Sequence, residues 1–222
     1  LLARAFNPDA DYLCFVMESK RHAFLTTFQR YVPAAFAEYL TDCVLEANVR
    51  FRIVKSRKSK LGDFRLPQGH ETPVITINGD LNPYSFLVTA LHELAHLDAF
   101  RQFGPRIQAH GDEWKQAFRQ RLLPVLESGH LPKDLEAALW KSFTNTKASS
   151  CTDLQLHRSL KRYDTQQGLV LEQLPHLSHF SLNGKTFEKG LLRRSRYLCT
   201  ELQTGKSYLV HALAHVQVKN HE

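Results

Sequence analysis

Residues 82–105 read NPYSFLVTALHELAHLDAFRQFGP, and the rest of the chain is best read outward from them. Asn82 is a residue type that caps the free amide groups at a helix start, and Pro83 suits the first turn, where its missing N–H costs nothing. Leu87, Leu91 and Leu94 then recur on one stripe, and Gly104-Pro105 stops the run, so the pattern predicts one long capped helix packed on a core. His92 and His96 lie one turn apart on that helix, with Glu93 beside them.

Upstream, Phe24, Leu25, Phe28 and Tyr31, then Ala35, Phe36, Tyr39, Leu40 and Val44 recur at helical spacing. They predict two helices split at Val32-Pro33. Residues 49–54 alternate apolar and polar side chains as a half-buried strand does, and 73–78 form a second apolar strand. Between them a basic run, 55–60, feeds a short strand around 61–65. The run reads either as a solvated hairpin tip or as a phosphate contact through Lys55, Arg57, Lys58 and Lys60.

Downstream, helices are expected over 112–126, where Asp112 and Glu113 sit at the positive end, and over 133–143. The small polar residues 144–150 cannot build a core and read as a linker. After a short basic helix at 153–163 the pattern turns to strands and turns, with Asn183-Gly184 as a hairpin signal. The expected division is a first domain over 1–148 and a small helix-plus-β module over 149–222. A module of that size is near the limit at which a core stands alone.

Composition places the chain among ordinary globular proteins: 43% of its 222 residues are hydrophobic and 23% charged. No apolar run is long enough to cross a bilayer, and Leu1-Leu2-Ala3-Arg4 is too short and too soon charged for a secretory signal. No membrane partner is therefore expected, and the expected location is the cytoplasm, with nucleoid association if the chain binds DNA. Cys14, Cys43, Cys151 and Cys199 never form a Cys-x-x-Cys pair, which argues against a thiolate metal site and for reduced thiols. The net charge of +7 favours encounters with polyanions without establishing them.

Two histidines four apart on a helix can aim both rings at one metal ion without bending the backbone. Glu93 projects close enough to take a proton from a metal-bound water without serving as a ligand. In this setting, with Leu91, Leu94, Ala95 and Leu97 around them, the polar trio is costly to bury unless something compensates it, and a Zn2+ ion does so. A third ligand comes from His110 or Glu113. His110-Gly111 follows the helix break and precedes a new helix, so a returning chain brings its side chain back while Gly111 eases the turn; His110 is preferred, because dipole compensation already accounts for Glu113. Asp98 reads either as a residue orienting a ligand ring or as surface. His211 and His215 repeat the spacing in a β-like segment, where residues four apart stand more than about 10 Å from each other.

His92-Glu-Leu-Ala-His96, the block His110-Gly111-Asp-Glu-Trp114-Lys115 and the upstream stretches 61–65 and 75–78 together resemble the SprT-like metallopeptidases, the group that includes bacterial SprT and eukaryotic Spartan. The resemblance spans about residues 24–118. It implies an α+β, zincin-like core of helices on a small sheet, zinc on His92, His96 and His110, and Glu93 as general base. It also implies a protein or peptide substrate and, for Spartan-type relatives, cleavage of proteins crosslinked to DNA. Many bacterial relatives carry a cysteine zinc ribbon after the protease domain; here Cys199 stands alone and no second pair follows. A second reading is a non-catalytic nucleic-acid or transcription-associated protein that keeps the zincin fold. Its support is the 55–60 turn and the cluster Arg193, Arg194, Arg196 beside Tyr197, which reads equally as a solvated β edge.

Overall fold

The computed structural model describes residues 8–57, 60–66, 72–144, 153–165 and 168–218, and side chains from residue 17 onward. The chain is α+β and divides into two compact units, Leu1–Tyr163 and Asp164–Glu222.

In the first unit α1 (Pro8–Phe28) and α2 (Ala37–Glu46) flank the break at Val32-Pro33, with one 3-10 turn at Ala34–Phe36. Three strands follow, β1 (Arg50–Val54), β2 (Gly62–Arg65) and β3 (Val74–Asn78), and then α3 (Pro83–Phe103), α4 (Asp112–Glu127), α5 (Lys133–Thr144) and α6 (Leu154–Lys161). The strand order is β1-β3-β2, with β1 parallel and β2 antiparallel to β3. The basic run after β1 is therefore not the tip of a hairpin. The late strand β3 is the most apolar of the three, Ile75 and Ile77 being fully buried, and takes the centre; β2 is left at the edge.

Arg57 and Asn78 hold the chain between β1 and β2 in place. The Arg57 side chain donates to Asn78 Oδ1 (2.9 Å) and Thr76 Oγ1 (2.9 Å), and Asn78 Nδ2 donates to the carbonyls of Arg57 (3.1 Å) and Lys60 (2.9 Å). This knot sets β2 beside α3, whose contacts include both β2 and β3.

The expected caps of α3 are present: Asn82 Oδ1 accepts from the Ser85 amide at 2.9 Å, and Gly104 ends the helix with φ 81°. One expectation about α3 changes. It carries no single apolar stripe but is buried on nearly every side, from Phe86 through Ala99, because α2, α4, α6 and the sheet all pack on it. Helices apolar all round are central ones.

The first compact unit also reaches past residue 148. Leu156 and Leu160 of α6 are buried in its core, the Leu160 carbonyl accepts from Asn82 Nδ2 at 3.0 Å, and the Tyr163 hydroxyl donates to Asp134 at 2.7 Å. A polar stretch interrupts helices without ending a core, because the amphipathic helix beyond it still has an apolar face to bury. Of the expected linker, 144–150, Thr144 is the last residue of α5 and the rest lies outside the described residues, as does Cys151.

The second unit is an antiparallel sheet of β4 (His179–Leu182), β5 (Lys185–Arg193), β6 (Arg196–Glu201), β7 (Ser207–His211) and β8 (Gln217–Val218), in the order β7-β6-β5-β4-β8. Asn183 and Gly184 both take positive φ (52° and 79°), the backbone of a primed two-residue turn, as their identities predict. The apolar core is small: Leu171, Leu174, Phe180, Phe187, Cys199, Val210 and Val216. Lys189 and Glu201 are buried with it. The Lys189 ammonium donates to the carbonyls of Glu172 and Leu174 and lies 4.1 Å from the centre of the Tyr197 ring.

Candidate metal centre

His92 and His96 project from the middle of α3, and His110 reaches them from the turn before α4. The three Nε2 atoms form a nearly equilateral triangle, 3.2 Å between His92 and His96 and 3.1 Å on each side to His110. Among the described residues this is the group of ligand atoms close enough to hold a metal ion. A tetrahedral ion about 2 Å from each nitrogen separates its ligands by about 3.3 Å, so the triangle fits such an ion closely. Burial lowers the pKa of all three rings: His92 well below the ordinary value, with further depression from His96, His110 and His157; His96 to about 4; His110 by burial alone. Neutral rings keep a lone pair for a cation.

The backbone of the third histidine differs from expectation. Gly111 has φ −68° and serves as the N-cap of α4, while His110 itself takes the left-handed conformation, φ 61°. Space at Gly111 is tight instead: a Cβ there would stand 3.0 Å from the Gln108 carbonyl and 3.1 Å from the Glu113 carboxylate. Glu113 is not part of the metal-competent group.

Trp114, in the first turn of α4, is the floor of the site. Its ring centre lies 4.6 Å from His92, 5.3 Å from His96 and 4.7 Å from His110, and its Nε1 donates to the His92 carbonyl at 3.4 Å. Phe118 stacks behind it at 5.1 Å. Packing on one rigid indole restricts all three rings, so less ordering is left for the moment a ligand binds.

Glu93, next to His92 in α3, packs against β2. It is 8% exposed, and burial, with the Asp63 carboxylate adding to it, raises its pKa to about 7; a hydrogen bond from the Phe64 amide and the charges of Arg57 and Lys60 oppose the rise. Asp63 stays ionised: burial pushes its pKa up, but hydrogen bonds from Lys60 and Arg65 bring it below the ordinary carboxylate range. Gly62 leaves the room Glu93 occupies, since a Cβ there would come within 2.7 Å of Glu93 Oε1 and 2.8 Å of Thr89 Cγ2. A glycine inside a strand signals such close approach, so Gly62 was readable as part of the site although its partner was not.

Asp98 does not orient a ligand ring. It accepts two bonds from the Arg121 guanidinium, 2.6 and 3.0 Å, and so clamps α3 to α4. His211 and His215 fall in the second unit, where the Leu213 amide donates to His211 Nδ1 and a Cβ at Gly168 would come within 2.8 Å of His215 Nδ1. Of the basic residues read as phosphate contacts, Arg57 and Lys60 are half-buried and engaged internally, Lys60 with Asp63 at 2.6 Å. Lys55 is exposed, Lys58 lies outside the described residues, and Arg193, Arg194 and Arg196 are exposed at the β5–β6 turn. No helix among the described residues is long and apolar enough to cross a membrane.

Fold and site together define an α+β chain with a histidine triad able to hold a metal ion, beside a buried carboxylate. Among curated proteins the chain is similar to Protein SprT of Pseudomonas fluorescens (strain SBW25), 35% identical over 100 residues, which cover 40% of this chain and 58% of that protein. The chain thus spans less than two thirds of that relative's length, and the similarity points toward the SprT-like family. No family model and no solved structure matches the chain.

Proposed function

We propose that the protein is a zinc metallopeptidase of the SprT-like kind with a zincin-like core. His92, His96 and His110 would hold the metal, and Glu93 would act as the general base. The observation that carries this reading is the convergence of three neutral imidazole nitrogens at 3.1–3.2 Å separations next to a buried, proton-accepting carboxylate.

When bound, zinc supplies Lewis acidity toward a scissile carbonyl and makes water acidic enough to lose a proton near neutrality. The residues of the chain supply the rest. Glu93 accepts the proton of the attacking water on a carboxylate oxygen and delivers it to the departing amine, which forms as the C–N bond breaks. The Phe64 amide and the wall at Gly62 hold that carboxylate in one place, so the proton acceptor does not have to be ordered at each turnover. Trp114 and Phe118 exclude water from one side of the triad.

The test is metal content and proteolysis of the wild type and Glu93→Gln, with casein and with a DNA-crosslinked protein as the two substrates. About one zinc per chain in both proteins, with cleavage in the wild type alone, supports the reading. Bound zinc with no cleavage of either substrate by the wild type replaces it with a non-catalytic binding protein; preference for the crosslinked substrate names the DNA-directed form of the peptidase.

A further inference from the structure

The solvent face of the second sheet carries an ordered pattern that the metal site does not use. In β5, two residues, Gly190 and Leu191, stand against Leu198 alone, because Lys189 pairs with Cys199 and Leu192 with Tyr197. Gly190 is required at this bulge, since a Cβ there would meet the Leu198 carbonyl at 2.1 Å. Leu198 in turn pairs with Leu209. Leu191, Leu198 and Leu209 thus form a row across three strands, and they are 62%, 37% and 54% exposed.

Two residues along each strand, on the same face, a second row crosses the sheet: Arg193 pairs with Arg196, and Arg196 with His211. Arg194 adds a third guanidinium at the turn, in the left-handed conformation (φ 57°). None of the three arginines has a carboxylate partner among the described residues.

The solvent face of an antiparallel sheet is normally polar. An apolar row beside a basic row is the complement of a helix with an apolar stripe and an acidic flank. The spacings agree: neighbouring strands lie about 4.8 Å apart, close to the roughly 5.4 Å rise of one helical turn, so residues one turn apart meet successive strands. Single-stranded nucleic acid would use the guanidinium row but gain little from three leucines, since bases stack on aromatic rings. β7 is an edge strand, so an elongated partner crossing these rows can run on past it.

We propose that this face docks an amphipathic helix of a partner protein, its leucine-type stripe on Leu191, Leu198 and Leu209 and its carboxylates on Arg193, Arg194 and Arg196. The proposal is independent of the hydrolase reading and stands or falls without it.

The experiment uses the full chain and a fluorescein-labelled synthetic helical peptide with leucines one turn apart and glutamates along one flank of that stripe, read by fluorescence anisotropy. Expected is saturable binding that weakens at least tenfold in Leu191→Ser, the most exposed member of the apolar row, and at least tenfold in Arg193→Glu/Arg196→Glu. A peptide with lysines in place of the glutamates should bind the charge-reversed protein and not the wild type. This exchange of preference is a readout that simple unfolding cannot produce. Equal binding of both peptides by the wild type overturns the proposal. So does displacement of the acidic peptide by a single-stranded oligonucleotide or by phosphatidylglycerol vesicles at lower concentration than by unlabelled peptide. Self-association in sedimentation that Leu191→Ser abolishes, with no peptide binding, overturns it in favour of a second copy of the chain.

Discussion

Glu93 and Glu201 are both buried carboxylates, 8% and 2% exposed, one in each unit, and their surroundings treat them in opposite ways. Around Glu201 every interaction favours the ion: Lys185 donates at 2.8 Å, Thr204 at 2.7 Å and Tyr208 at 3.1 Å, and the carboxyl is held below its ordinary pKa by Lys185 first, then Thr204 and Tyr208, against burial. Around Glu93 burial and Asp63 push the other way, to about 7, and the hydrogen bond from the Phe64 amide only moderates the rise. Saturated burial is a structural solution. Burial that raises a carboxyl to about 7, on the residue next to a metal-competent histidine, costs stability, and perturbation of this kind is more frequent at functional sites than elsewhere.

The largest expected effect lies at the triad. His110→Ala removes one of three nitrogens, and both metal content at micromolar zinc and proteolysis are expected to fall to background, read by metal analysis and casein cleavage on the same sample. Glu93→Gln keeps the shape of the site and removes the proton acceptor; cleavage should drop roughly 10²–10⁴-fold with zinc retained. A variant that cleaves at the wild-type rate would show that Glu93 is buried for structure, as Glu201 is.

Gly62→Ala acts on the carboxylate through its neighbour, leaving the triad and the chemical identity of Glu93 unchanged. The added methyl would meet Glu93 Oε1 at 2.7 Å, so the side chain or β2 must shift, and a displacement of this kind is expected to cost up to about 10² in kcat with little change in zinc content. Unchanged kcat would mean that β2 yields freely and does not position the base.

The smallest effect belongs to Glu201 and is one of stability. Since its folded pKa is depressed, its contribution is fully present above the unfolded carboxylate pKa and is lost as pH falls through the lower folded value. Thermal unfolding of the second unit should therefore show a loss of Tm on acidification that Glu201→Gln makes shallower, with a lower Tm at neutral pH and zinc binding unaffected. An identical acid limb in wild type and variant would remove Glu201 from the account.

Much of this was legible in the chain itself. Asn82-Pro83 and Gly104 bounded α3 because capping is local chemistry, and His92 and His96 needed only the helical period to bring their rings together. His110 was identified from its place after a helix break, yet the conformation that delivers it, φ 61° at the histidine itself, was not, since a glycine stood next to it as the easier candidate. Asp98 could be a ring-orienting group or surface from its position; only the facing helix shows that Arg121 takes both of its oxygens.

Elements with local causes were legible in sequence order: the capped helix, the pair of histidines one turn apart, the Asn183-Gly184 turn, and the period-two strands. Tertiary structure decided what depends on contacts far apart in the chain. It inserted β3 between β1 and β2 and placed Gly62 and the Phe64 amide against Glu93. It brought α6 into the first core, and it aligned leucines and arginines from three strands into rows. Local interactions read out in sequence order because each involves neighbours a few residues apart, whereas strand order and register are chosen by the burial of whole apolar faces, which no single segment carries.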